Sequence, residues 1–119
     1  MKKITQIIIL LALFLHFTNL SGQDKTVVKG TFKNCPFDEI HLYDISISNQ
    51  FASSKITGNG SFTLSAEIEQ ANIFKLYFDK KNHLIIILKP GEEVNLKGDM
   101  NDIYNMKVEG SENTAMFYN

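Results

Sequence analysis

Across residues 26–109 the chain alternates apolar and polar residues in short runs broken by turn residues, which is the period of β-strands. Val28, Gly30 and Phe32 share one face of the first run, with Val27, Lys29 and Thr31 on the other. Ile40 and Leu42 alternate with Glu39, His41 and Tyr43. Phe62, Leu64, Ala66 and Ile68 alternate with Ser61, Thr63, Ser65 and Glu67, the cleanest half-buried pattern in the chain. Between run 51–57 and that strand stands Thr57-Gly58-Asn59-Gly60, and Asn-Gly accepts positive φ at both positions. The two flanking strands are therefore expected to be antiparallel hairpin neighbours. Runs 73–78 and 84–88 follow, joined by the polar turn Asp79-Lys80-Lys81-Asn82. The second is apolar on both faces, which predicts a strand through the centre of a layer. Val94 and Leu96 then alternate with Asn95 and Lys97, and Tyr104, Met106 and Val108 with Asn105, Lys107 and Glu109. About eight short strands at this spacing predict an all-β fold, an antiparallel β-sandwich or open barrel.

The ends break the alternation. Met1-Lys2-Lys3 followed by the apolar stretch from Ile7 to Leu15 has the charged start and apolar middle of a secretory signal. It is shorter than the roughly 20 apolar residues of a membrane span. Cleavage is expected after Ser21 or near Gly22. The site resembles a lipoprotein box whose cysteine is replaced by Gln23, so a soluble exported protein of the periplasm or envelope is expected, not a lipoprotein, with no stable membrane span once the signal is removed. At the other end Gly110 closes a strand, Ser111 suits a helix N-cap and Glu112 a first helical turn. Ala115, Met116, Phe117 and Tyr118 then start an apolar stretch that stops at Asn119, as a helix begun and cut off. The expected organisation is a signal peptide over 1–22, one β-domain over 23–110 and the truncated start of a helical linker over 111–119. Ala115 to Tyr118 form the candidate interface, since such a stretch is better docked on a partner than exposed.

Composition narrows the function. The mature part keeps about 97 residues, enough for one small domain. Its ten lysines and thirteen acids give a net charge of −3, and with no arginine in the chain neither a bidentate phosphate clamp nor a basic nucleic-acid patch is expected. The one cysteine, Cys35, cannot form an internal disulfide; it is a loop thiol, or the link of an intermolecular disulfide to a homodimer mate or another envelope protein. His41 and His83 have no adjacent ligand set, so no metal or cofactor is expected. Tyr43 and Tyr77 face outward, which cross-strand packing explains as well as a sugar platform does.

The stretch "LKPGEEVNLKGD" over 88–99 puts adjacent glutamates after Pro90-Gly91. Pro-Gly fits the centre of a type II turn, and neighbouring strand residues point to opposite faces, so Glu92 and Glu93 are expected to diverge and not to form a working carboxylate pair. No nucleophile, base and stabiliser come together elsewhere, and the chain is not expected to be an enzyme.

In order, "VVKGTF", "GNGSFTL", "LKPGEEVNLKGD" and "VEGSENTAMFYN" resemble the β-rich domain of unknown function of Bacteroidetes-type exported proteins. There it commonly precedes a thioredoxin-like domain of the thiol-disulfide oxidoreductase kind. The resemblance implies a non-catalytic module that positions or docks the redox domain, in cis or as another envelope protein. Cys-x-x-Cys does not occur in this chain, so none of the disulfide chemistry carries over to its residues. The alternative expectation is a free-standing envelope binding or structural module.

Overall fold

The computed structural model describes residues 25–46 and 49–119. The expected signal segment, its cleavage point near Gly22 and Gln23 lie outside the described residues. In chain order the elements are β1 (Thr26–Lys33), β2 (Glu39–Asp44), β3 (Gln50–Lys55), β4 (Ser61–Ala66), β5 (Asn72–Tyr77), β6 (His83–Leu88), β7 (Glu93–Asp99), a 3-10 turn (Met100–Asp102), β8 (Lys107–Glu109) and helix α1 (Glu112–Tyr118). The strands build two four-stranded sheets, β4-β1-β7-β8 and β3-β2-β5-β6, stacked as a sandwich. β1 pairs antiparallel with β4 and parallel with β7.

Alternation produces the core directly. Val28 and Phe32 of β1, Ile40 and Leu42 of β2, Phe62 and Leu64 of β4, Phe74 and Leu76 of β5, Leu84, Ile86 and Leu88 of β6, and Val94 and Leu96 of β7 all point between the sheets and are buried. At one end Phe32, Phe62 and Phe78 pack with ring centroids 5.4 to 6.2 Å apart, which adds about 0.5–1.5 kcal/mol per pair beyond the area buried.

The expected hairpin is a corner between the sheets. The 57–60 turn does form: Thr57 N–H donates to Ser61 O, Gly60 N–H donates to Thr57 O, and Gly60 adopts φ +80°. Both flanks are already engaged, however. Phe32 N–H donates to Gly60 O at 2.9 Å and commits β4 to β1, while Ile56 N–H donates to Asp38 O at 2.7 Å and commits β3 to β2. Nor is β6 a central strand. It is the edge of its sheet, with α1 lying along the backbone of Ile85 and Ile87, and these two outward residues are half-buried. The run from Tyr104 to Val108 is strand only over Lys107–Glu109. Asp99 caps the 3-10 turn by accepting from Asn101 N–H, so Ile103 turns inward and Tyr104 is exposed.

The Pro90-Gly91 turn is as expected. Glu92 N–H donates to Lys89 O, and Gly91 has φ +79°. Buried Thr26 pins it: its Oγ1 donates to Lys89 O at 2.9 Å and accepts from Gly91 N–H at 3.1 Å.

Candidate interaction site

Seven residues are too few for a stable isolated helix, so α1 depends on what it touches. Ser111 is its N-cap, accepting from Thr114 N–H, and Gly110 before it takes φ +88°. A Cβ on Gly110 would sit 2.0 Å from Glu93 O, so only glycine fits here.

The outward peptide groups of edge strand β6 would face solvent unpaired, and α1 occupies them with hydroxyls. Thr114 Oγ1 accepts from Ile87 N–H at 2.9 Å and donates to Ile87 O at 2.7 Å. One helical turn on, Tyr118 Oη accepts from Ile85 N–H at 3.2 Å and donates to Ile85 O at 2.7 Å. The geometry matches because four helical residues advance about 6 Å and two strand residues about 6.7 Å. At the helix end Asn119 serves the edge of the other sheet, its Oδ1 accepting from Val108 N–H at 3.0 Å and its Nδ2 donating to Val108 O at 2.9 Å. The helix thus imitates a neighbouring strand for β6, and Asn119 does so for β8. Burial pushes the Tyr118 phenol above its ordinary pKa of 10.0, and nearby Tyr104 adds to the rise against the lowering effect of the Ile85 backbone contact.

The four candidate interface residues divide by side. Ala115 and Tyr118 pack on the core, while Met116 and Phe117 project outward, 82% and 67% exposed. Two large apolar side chains are therefore held in solvent by a helix fixed to both sheets. A shallow groove of about 630 Å³ runs beside α1, lined by Lys89, Glu92, Val108, Gly110, Glu112 and Ala115.

The outer sheet faces differ. On β4-β1-β7-β8 the outward side chains are mostly polar or charged, with Thr63, Lys29, Asn95 and Glu109 in one cross-strand row. On the other sheet a row runs Ser53, His41, Tyr77, His83, and the next carries Tyr43, Lys75 and Ile85. Tyr43 meets Tyr77 edge-on at 5.8 Å, His41 lies 6.3 and 6.4 Å from the two rings, and Lys75 Nζ is 5.7 Å from the Tyr77 ring centre. Beside them is a pocket of about 300 Å³ lined by Tyr43, Asp44, Ile45, Lys75 and Tyr77.

The remaining sequence candidates stay apart. Glu92 accepts from Lys89 N–H at 2.7 Å inside its turn, whereas Glu93 pairs with Lys29 at 2.7 Å on the solvent side; they do not converge. His41 Nδ1 is 3.0 Å from Gln50 Oε1, and His83 Nδ1 is buried without a hydrogen-bond partner. Among the described residues no group of three or more His, Cys, Asp or Glu could hold a metal ion. Cys35 is half-buried against the core, its Sγ 3.9 Å from Phe37 O. Beside it Asn34, at φ 55°, donates to both Asp99 carboxylate oxygens at 3.0 and 3.2 Å, and with the Asn101 N–H this holds the Asp99 carboxyl below its ordinary 3.8. Sequence reasoning missed Thr114 and Asn119 as edge caps. For Thr114 the one signal is its hydroxyl four residues before that of Tyr118, and for Asn119 there is none.

The profile of a family described as a domain of unknown function (DUF4369) matches residues 18–117. The chain belongs to the DUF4369 family. This DUF4369 domain is also 33% identical over 91 residues to a probable inorganic pyrophosphatase of Plasmodium falciparum (isolate 3D7), a match covering 76% of this chain and 22% of that protein. The chain thus spans under a quarter of the length of that curated relative. No solved structure matches this chain. Among its described residues no helix is long and apolar enough to cross a membrane.

Proposed function

We propose that this DUF4369 domain is a non-catalytic, exported β-sandwich module that positions a thioredoxin-like thiol-disulfide oxidoreductase domain lying beyond Asn119 in the same protein. The observation that carries the reading is the outward pair Met116 and Phe117 on a helix tied to both sheets. A partner meeting it would be held at a fixed angle to the sandwich instead of swinging on a loose tether. The motif order that resembles exported redox proteins, ending in "VEGSENTAMFYN", supports the identity of the partner. The charged-then-apolar start of the chain supports export to the periplasm or envelope.

A second reading, a free-standing envelope binding module, is favoured by the outer-face cluster of His41, Tyr43 and Tyr77. Mass spectrometry of the native protein from the envelope fraction separates the two. The proposal expects a polypeptide starting near Gln23 and containing peptides with Cys-x-x-Cys beyond Asn119. A mature protein ending at Asn119 would contradict it and leave the binding module.

A further inference from the structure

An exposed sheet edge offers unpaired backbone donors and acceptors to any other strand, and proteins block such edges with charge, proline, bulges or covering elements. Three of the four edges here carry a device. Thr114 and Tyr118 cover β6, and Asn119 covers β8. β3 is interrupted by the register shift opposite Leu42 and Tyr43 and ends on Lys55.

Among the described residues β4 has none of these. Its sequence, Ser61-Phe62-Thr63-Leu64-Ser65-Ala66, has no charge and no proline, and its register with β1 runs unbroken from Ser61 to Ala66. Because Gly60 O takes the Phe32 N–H, antiparallel alternation directs the peptide groups of Phe62, Leu64 and Ala66 toward β1 and those of Ser61, Thr63 and Ser65 away from it. Ser61 is engaged by Thr57, its N–H reaching Thr57 Oγ1 and its carbonyl the Thr57 N–H. The outward groups of Thr63 and Ser65 have no partner among the described residues.

We propose that β4 is the site of self-association, pairing antiparallel with β4 of a second copy about a two-fold axis at Leu64. That register sets Thr63 against the second copy's Ser65 and Ser65 against its Thr63, for about four backbone hydrogen bonds. Thr57 already stands opposite Ser61, so the pairing is confined to Thr63–Ser65 of each copy, where no charges meet, and Ser-Thr pairs across antiparallel strands are favourable. The two β4-β1-β7-β8 sheets join into one continuous sheet, and α1 with Met116 and Phe117 stays clear at the far edge of each copy. A strand with no charge is self-complementary in this register without any further feature, which is why a second copy is the occupant and an isologous dimer the form.

Sedimentation equilibrium of the full-length mature protein over a wide concentration range tests this, with two double variants at exposed positions whose side chains do not enter the core. T63K/S65K brings lysine against lysine in the proposed register and is expected to weaken dimerisation at least about tenfold. T63K/S65E brings lysine against glutamate and is expected to dimerise at least as tightly as the parent. Thermal melts confirm that both fold. A parent protein that sediments as a monomer throughout overturns the proposal. So does equal self-association of the two variants, which would place any dimer contact elsewhere.

Discussion

Replacing Thr114 by valine tests whether α1 really substitutes for a strand. Valine keeps the shape of threonine and changes its helix propensity little, but it has no hydroxyl. Thr114 is fully buried, and its Oγ1 serves both Ile87 N–H at 2.9 Å and Ile87 O at 2.7 Å. After the substitution Ser111 Oγ, at 3.0 Å, still donates to Ile87 O, whereas the Ile87 N–H has no acceptor. An orphaned buried donor costs about 1–3 kcal/mol. From the middle of that range, about 2 kcal/mol, the added methyl recovers up to about 0.8 kcal/mol, which leaves a net loss of about 1.2 kcal/mol. In urea, with a slope of about 1.5 kcal/mol/M for a domain of this size, the midpoint falls by about 1 M with the slope unchanged. Hydrogen exchange supplies the local readout: the Ile87 amide loses protection in T114V, while T114S, which keeps the hydroxyl, retains it. A T114V midpoint within about 0.2 M of the parent, with Ile87 still protected, would mean that the Thr114 hydroxyl does not stand in for a strand.

The same contact has an alkaline limit. The folded state holds the Tyr118 proton more tightly than the unfolded chain, so its contribution is intact below the ordinary value of 10.0 and is lost as pH rises through the raised folded value. Urea midpoints measured above pH 10 should therefore fall more steeply for the parent than for Y118F. Gly110→Ala should cost at least about 2 kcal/mol in the same assay, since it combines a positive φ with a Cβ 2.0 Å from Glu93 O. Met116→Lys with Phe117→Lys should change stability by no more than about 0.5 kcal/mol, because both side chains are exposed and lysine suits the last turn of a helix, while weakening the docking contact proposed for them. Lys29→Ala should cost under about 1 kcal/mol, its pair with Glu93 being solvent-exposed.

What could be read from the residues was local. Alternation located most strands and their inward faces, because side-chain direction in a strand depends on parity alone, and Pro90-Gly91 specified its turn through φ constraints. Ser111 announced a helix start. Pairing was not legible: Asn59-Gly60 makes a tight turn whether its flanks join each other or, as here, β1 and β2. Strand β6 looked central because both its faces are apolar, yet a helix whose sequence reads as a stub lies along its edge. Asn119 was invisible as a cap, since nothing in its neighbourhood says that Val108 stands opposite. Of the candidate interface, spacing gave the apolar cluster but not its division, with Ala115 and Tyr118 turned to the core and Met116 and Phe117 to solvent.

The most direct test of the proposed role is a photo-crosslinking amino acid placed at Phe117 in the protein as its own cells make it, with Asn95 on the polar sheet face as control. Position 117 is expected to crosslink to peptides of a Cys-x-x-Cys domain, and position 95 is not. Crosslinks of equal yield from both positions, or none from 117 to a dithiol domain, would contradict that role.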